Sequence, residues 1–112
     1  MTPANESQEI AMTEKYFQVI AHYHAKPGEA DAVIALLGQL RDASRTEAAN
    51  LSYDFFRGVE DRAHIVILER YTSAAGFIAH RDYQHFKTIG IEQIIPRLES
   101  RRIESYEGGG DA

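Results

Sequence analysis

Residues 16–29 read Tyr16-Phe17-Gln18-Val19-Ile20-Ala21-His22-Tyr23-His24-Ala25-Lys26-Pro27-Gly28-Glu29, and this stretch decides the fold. Its first ten residues are rich in aromatic and β-branched groups. Phe17, Val19, Ala21 and Tyr23 alternate with Gln18, Ile20, His22 and His24, which predicts a strand over 16–25. Both registers carry apolar groups, so both faces of the sheet are expected to be covered. Lys26-Pro27-Gly28 breaks the strand. From Glu29 to about Glu47 the period changes. Ala30, Val33, Ile34, Leu37 and Leu40 form one apolar helical stripe, with Gly28 as the expected N-cap. Glu29 and Asp31 lie in the first turn and Arg41 and Arg45 near the end, as the helix dipole favours.

Working outward, Leu51–Arg57 predicts a second strand with Leu51, Tyr53 and Phe55 on one face. Gly58-Val59-Glu60-Asp61 is a turn, so a hairpin to a third strand over Ala63–Tyr71 follows. Ile65, Ile67, Glu69 and Tyr71 share one side of that strand. Ser73 caps a short helix through His80. Asp82 is the expected cap of another helix that runs to about Ile95 and is ended by Pro96. Leu98–Glu107 is the fourth strand. The order β-α-β-β-α-β, with a split second helix, specifies an α+β, ferredoxin-like domain: an antiparallel sheet with its helices on one face. Ile20, Phe56, Val66 and Leu68 then fall on the opposite face, and a second copy of the chain is the expected cover, making a homodimer. Residues 1–15 are expected to be a flexible arm, 16–107 the domain and 108–112 a flexible tail.

The 112 residues suit a single domain. At 44% hydrophobic and 26% charged, the composition is that of a folded protein. A net charge of -5 argues against nucleic acid as partner, and Glu99 and Glu104 dilute the nearest basic group of Arg97, Arg101 and Arg102. Cysteine is absent, which removes disulfides, thiolate metal sites and a cysteine nucleophile. No apolar run approaches the roughly 18 residues that span a bilayer. Met1–Thr13 is polar and acidic, so no signal peptide is expected, and cytoplasmic placement is the expectation.

Three segments carry a family likeness. Val19–Glu29 holds an opening strand and a Lys-Pro-Gly turn. Ser44-Arg45-Thr46-Glu47-Ala48-Ala49-Asn50-Leu51-Ser52-Tyr53-Asp54 has Ser-Arg, then Glu, then a strand with Tyr. Leu68-Glu69-Arg70-Tyr71-Thr72-Ser73-Ala74-Ala75 continues to His80 and then to His85-Phe86. Over about residues 16–107 the chain resembles the antibiotic biosynthesis monooxygenase family of the dimeric α+β barrel superfamily. Ala49-Asn50 departs from the family's usual Gly-Cys or Gly-Asn pair, at a turn. The resemblance implies a fold more firmly than a reaction. Family members include cofactor-free oxygenases of anthrones and quinols, haem-degrading enzymes, isomerase-like enzymes and proteins without a known activity.

Cofactor-free oxygenation needs a substrate whose anion is electron-rich enough to reduce dioxygen. The protein binds the ring, takes a proton, stabilises the anion and excludes water. His80, His85, Tyr71 and Glu69 are the candidate catalytic residues, and Tyr23, Tyr53, Phe55, Phe77 and Phe86 the candidate lining of a pocket for a small aromatic molecule. On one straight helix His80 and His85 point well apart; a break at Arg81-Asp82 would bring both to the pocket. Each residue also has a plain structural reading. The aromatics serve as core, Glu69 as a carboxylate tying the strand to a helix N-terminus, and His85 as a cap. A binding or isomerising protein needs the same base and pocket, so it stands as the alternative to an oxygenase, and a purely structural dimer as the third reading.

No cofactor and no metal ligand are expected. The haem-degrading branch uses an Asn, a Trp and an axial His where this chain has Ala21, Tyr71 and Gly90, and the chain has no Trp. His22 and His24 share a strand face about 6.6 Å apart, but only His64 offers itself as a third ligand, and a polar pair facing the second subunit is the expected role.

Overall fold

The computed structural model describes residues 14–109, so residues 1–13 of the expected arm and 110–112 of the expected tail lie outside the described residues. The elements are β1 (Lys15–Ala25), α1 (Ala30–Ser44), β2 (Asn50–Arg57), β3 (His64–Tyr71), α2 (Ala74–Asp82), α3 (Phe86–Ile94), a short turn of 3₁₀ helix (Ile95–Arg97) and β4 (Leu98–Gly109). The four strands form one sheet in the order β2-β3-β1-β4, every pairing antiparallel. This is the ferredoxin-like α+β arrangement that the sequence pattern specifies.

The alternation in β1 sets the layers. Val19, Ala21, Tyr23 and Ala25 are buried under the helices, opposite Glu69, Ile67 and Ile65 of β3. Val33, Leu36, Leu37 and Leu40 of α1 close over them, together with Tyr53, Ile94 and Leu98. Each such aliphatic side chain contributes roughly 1.5–3 kcal/mol on burial, so this stripe dominates the stability of the domain. Among the described residues no helix is long and apolar enough to cross a membrane.

Several boundaries differ from the sequence pattern. Gly28 does not cap α1. It sits at φ +78 in the preceding turn, a conformation that favours glycine, and Glu29 takes the cap position. Helix α1 stops at Ser44, short of Glu47. The Thr46 hydroxyl donates to Ala43 O at 2.6 Å, and the backbone N–H groups of Thr46, Glu47 and Asn50 each reach back three residues. The chain thus tightens into turns after Ser44. Leu51 is expelled to solvent because the β2–β3 register shifts between Asn50 and Ser52, leaving Asn50 opposite Tyr71. Strand β4 continues to Gly109, paired with Lys15, two residues beyond the boundary drawn at 107.

The second helical segment is split as expected, though not by a cap at Asp82. Asp82 ends α2, Tyr83 is extended at φ -67 and ψ 146, and His85 holds the residue position before α3 without a capping side-chain hydrogen bond. Helix α3 is wound as a π-helix, its closing N–H from Ile95 reaching Gly90 five residues back. Gly76 permits the close approach of α2 to the chain before it. A Cβ there would lie 2.7 Å from the Ala49 Cβ and 3.3 Å from the Tyr71 Cβ.

Candidate functional site

The turns after α1 point Glu47 into the protein. Its Oε2 accepts from His80 Nδ1 at 2.8 Å and from His85 Nε2 at 2.6 Å. His80 comes from α2 and His85 from the start of α3; the extended residue Tyr83 folds the second histidine back beside the first. On the other side of His80, its Nε2 lies 3.7 Å from Glu69 Oε1, which accepts the Tyr71 hydroxyl at 2.6 Å. Five polar side chains therefore run in a line: His85, Glu47, His80, Glu69, Tyr71.

This line is buried except at one end. Tyr71 is 0% exposed and His80 2%, whereas the His85 side chain is 19% exposed. Rings enclose His80: Phe86 edge-on at 5.1 Å, Tyr71 at 5.6 Å, Tyr53 at 6.2 Å and Phe77 stacked at 6.2 Å. Burial pushes the Glu69 carboxyl up to about 7, opposed by the Tyr71 hydrogen bond and helped by Glu47. Burial lowers His80, against the hydrogen bond and charge of Glu47, and so favours the neutral ring. Burial, with the nearby Glu69, raises Tyr23 to about 12, and the same two causes raise Tyr53 and Tyr71. These phenols are donors, not anions, near neutral pH.

Each expected site residue can now be placed. His80, His85, Glu69 and Tyr71 come together as described. Glu69 accepts from Tyr71 of its own strand and lies 3.7 Å from His80 of α2, and is not at a helix N-terminus. Tyr53 is 2% exposed and Tyr71 0%, so neither ring opens to solvent in the single chain. Tyr23 is buried in the core. Phe55 is half-buried under Arg41, 5.6 Å away, and packs against the core. Phe77 packs on Tyr71 and Phe17. Phe86 does face a concavity: a surface hollow of about 290 Å³ lined by Ile78, Arg81, Asp82, Phe86 and Ile91, at the corner between α2 and α3. A second hollow of about 230 Å³ lies beside it against Ala79, Asp82 and Tyr83. Tyr83 stacks on His85 at 5.0 Å.

Glu47, the hub of the line, is the residue that pattern reading misses. A signal exists: Val33, Leu37, Leu40, Ser44 and Glu47 recur at helical spacing, which puts a carboxylate on the buried stripe. Its three donor atoms with His80 and His85 all lie within 4.8 Å of one another, a grouping able to hold a metal ion. On the opposite face of the sheet, His64 joins the other histidine pair: His22 Nδ1 lies 2.9 Å from His64 Nε2, and His24 stacks on His64 at 4.5 Å.

The model of the antibiotic biosynthesis monooxygenase family matches residues 17–90. Comparison with curated proteins finds no match. A solved structure described as an antibiotic biosynthesis monooxygenase is 26% identical with a TM-score of 0.75, over 80% of this chain and 95% of that one. A protein from Pseudomonas aeruginosa is also 26% identical, TM-score 0.74, over 85% and 94%. One from Shewanella oneidensis shares the fold at 23% identity and TM-score 0.78, over 86% and 93%.

Proposed function

Since the chain belongs to the antibiotic biosynthesis monooxygenase family, we propose that it is a cofactor-independent oxygenase of a small quinol- or anthrone-like aromatic. The observation that carries this reading is the double acceptance by Glu47 Oε2, with one histidine buried and the other reaching the surface. Glu47 holds the proton of His85 on Nε2. The lone pair of neutral His85 is then on Nδ1, and Nδ1 is the general base. Glu47 also stabilises the imidazolium that forms, as a carboxylate behind a catalytic histidine does. Glu69 and Tyr71 are positioning residues that act through His80.

The substrate ring lies over Phe86 in the hollow at the corner between α2 and α3, with Ile78 and Ile91 at its edges. Proton transfer to His85 leaves a carbanion or phenolate. That anion passes one electron to dioxygen, and the substrate radical and superoxide recombine to a carbon–oxygen bond. The peroxide anion takes up the proton that His85 holds, and His85 then removes the remaining carbon-bound hydrogen as the O–O bond breaks. Hydroxide departs and takes the proton from His85. A methylene and dioxygen thus become a carbonyl and water, with no external reductant. The apolar sheet face, where Phe56 is 55% exposed and Ile20, Val66 and Leu68 are partly exposed, is covered by a second copy of the chain.

The test is oxygen uptake with a panel of hydroquinones and anthrones in the presence of chelator. Uptake that requires the protein and is lost in His85→Ala supports the reading. Protein-dependent hydrogen exchange of the substrate without oxygen uptake would keep the base and remove the oxygenase, leaving an isomerase-like or binding member of the fold.

A further inference from the structure

We propose that Glu47 Oε2, His80 Nδ1 and His85 Nε2 form a binding site for a divalent transition-metal ion. The inference goes beyond the oxygenase reading and does not depend on it. Two imidazole nitrogens and one carboxylate oxygen, from three separate elements, converge within 4.8 Å. That donor set suits zinc, cobalt or ferrous ions, whereas calcium and magnesium prefer oxygen alone.

Three features of the surroundings favour a cation. The first is the fit. Ligand atoms around a tetrahedral ion sit about 3.3 Å apart. The contacts of 2.8 and 2.6 Å to Glu47 need to open by roughly 0.5–0.7 Å, and the two imidazole nitrogens, within 4.8 Å of one another, need to draw together. The second is an orphan: Glu47 Oε1 is buried with no hydrogen-bond partner, and a cation on Oε2 that is also within reach of Oε1 would satisfy it. The third is Glu69. With its Nδ1 proton given to Glu47, neutral His80 has no N–H on Nε2 to offer Glu69 Oε1, which stands 3.7 Å away and outside hydrogen-bond length. A metal on Nδ1 moves that proton to Nε2, which then donates to Glu69. A carboxylate behind a ligating histidine is the usual support of such sites, and Tyr71 already fixes this one. The partly exposed edge of His85 is the path by which the ion arrives and the side on which a coordination position stays open.

A metal on His85 Nε2 puts the ring proton on Nδ1. The bound ion and the base of the oxygenase reading therefore exclude one another, and the cation acts as an inhibitor of that chemistry.

The experiment is a titration of the full-length protein, stripped with chelator and dialysed, with Co²⁺ followed by visible absorption. One Co²⁺ per chain is expected, with the strong absorption of a four- or five-coordinate site that Zn²⁺ bleaches. Affinity falls at least about tenfold in His85→Ala and in Glu69→Gln, and is unchanged in His22→Ala, which lies in the histidine group on the far sheet face. A pale octahedral spectrum overturns the proposal. So does binding that survives His85→Ala or is lost in His22→Ala; survival in Glu69→Gln overturns the part assigned to Glu69. The readout is separate from oxygen uptake. Silent cobalt with active oxygenation removes only the metal site, and the reverse removes only the oxygenase.

Discussion

Glu47 and His85 stand 38 residues apart in sequence and meet at 2.6 Å, carboxylate Oε2 to imidazole Nε2, with the same oxygen holding His80 at 2.8 Å. One carboxylate thereby sets the tautomer of two histidines that approach from different helices.

Replacing that carboxylate tests the relationship directly. In Glu47→Gln one amide must face two N–H donors with its neutral oxygen, and the imidazolium loses its counter-charge. Oxygen uptake is expected to drop by about 10²–10⁴-fold, the range general-base catalysis spans. The buried network should lose about 1–3 kcal/mol, read as a lower urea midpoint. Uptake equal to that of the parent protein would take Glu47 out of the mechanism.

The stability of the protein should depend on Glu69 in a defined pH window. Folding raises this carboxyl from 4.5 to about 7, so the folded state favours its neutral form. The stabilising contribution is fully present below pH 4.5 and is lost as pH rises to about 7. Thermal midpoints measured with chelator present should therefore fall more steeply over that window in the parent than in Glu69→Gln, which cannot ionise. Parallel curves would show that Glu69 is ordinary in its titration.

The approach of α2 to the turn before β2 depends on Gly76. In Gly76→Ala the new methyl meets the Ala49 Cβ at 2.7 Å and the Tyr71 Cβ at 3.3 Å, in surroundings with little freedom to give. A loss of about 1–3 kcal/mol in denaturant unfolding is expected. The same shift carries His80 away from Glu47, so oxygen uptake should fall as well. A variant as stable as the parent would mean that this contact relaxes freely.

The sheet face away from the helices provides a test of assembly. Phe56 is 55% exposed there, in one apolar face with Ile20, Val66 and Leu68. Sedimentation at micromolar concentration should give a dimer for the parent and a monomer for Phe56→Glu. A monomeric parent would contradict the second copy as the cover of this face.

The strand and helix order was legible because it depends on local periodicity. The two-residue alternation of Phe17, Val19, Ala21 and Tyr23 and the three-to-four spacing of Val33, Leu37 and Leu40 describe elements whose faces are set by backbone geometry alone. The need for a break between His80 and His85 was legible for the same reason. Where that break falls was not: Asp82 reads as a cap and Tyr83 as part of a helix, yet Tyr83 is the extended residue. Leu51 likewise reads as inward-facing, because a bulge shifts its phase without leaving a mark in composition.

What the sequence determined by itself is therefore the α+β order, the family likeness and four of the five polar residues that line up inside the protein. What only the tertiary structure decided is that they form one line, that Glu47 joins it, and that Tyr53 and Tyr71 are walled in. The physical reason is range. Periodicity reports which way a side chain leaves its own element. Whether two carboxylates, two imidazoles and a phenol share a buried space depends on how the turn after Ser44, strand β3 and the bend at Tyr83 pack together in three dimensions.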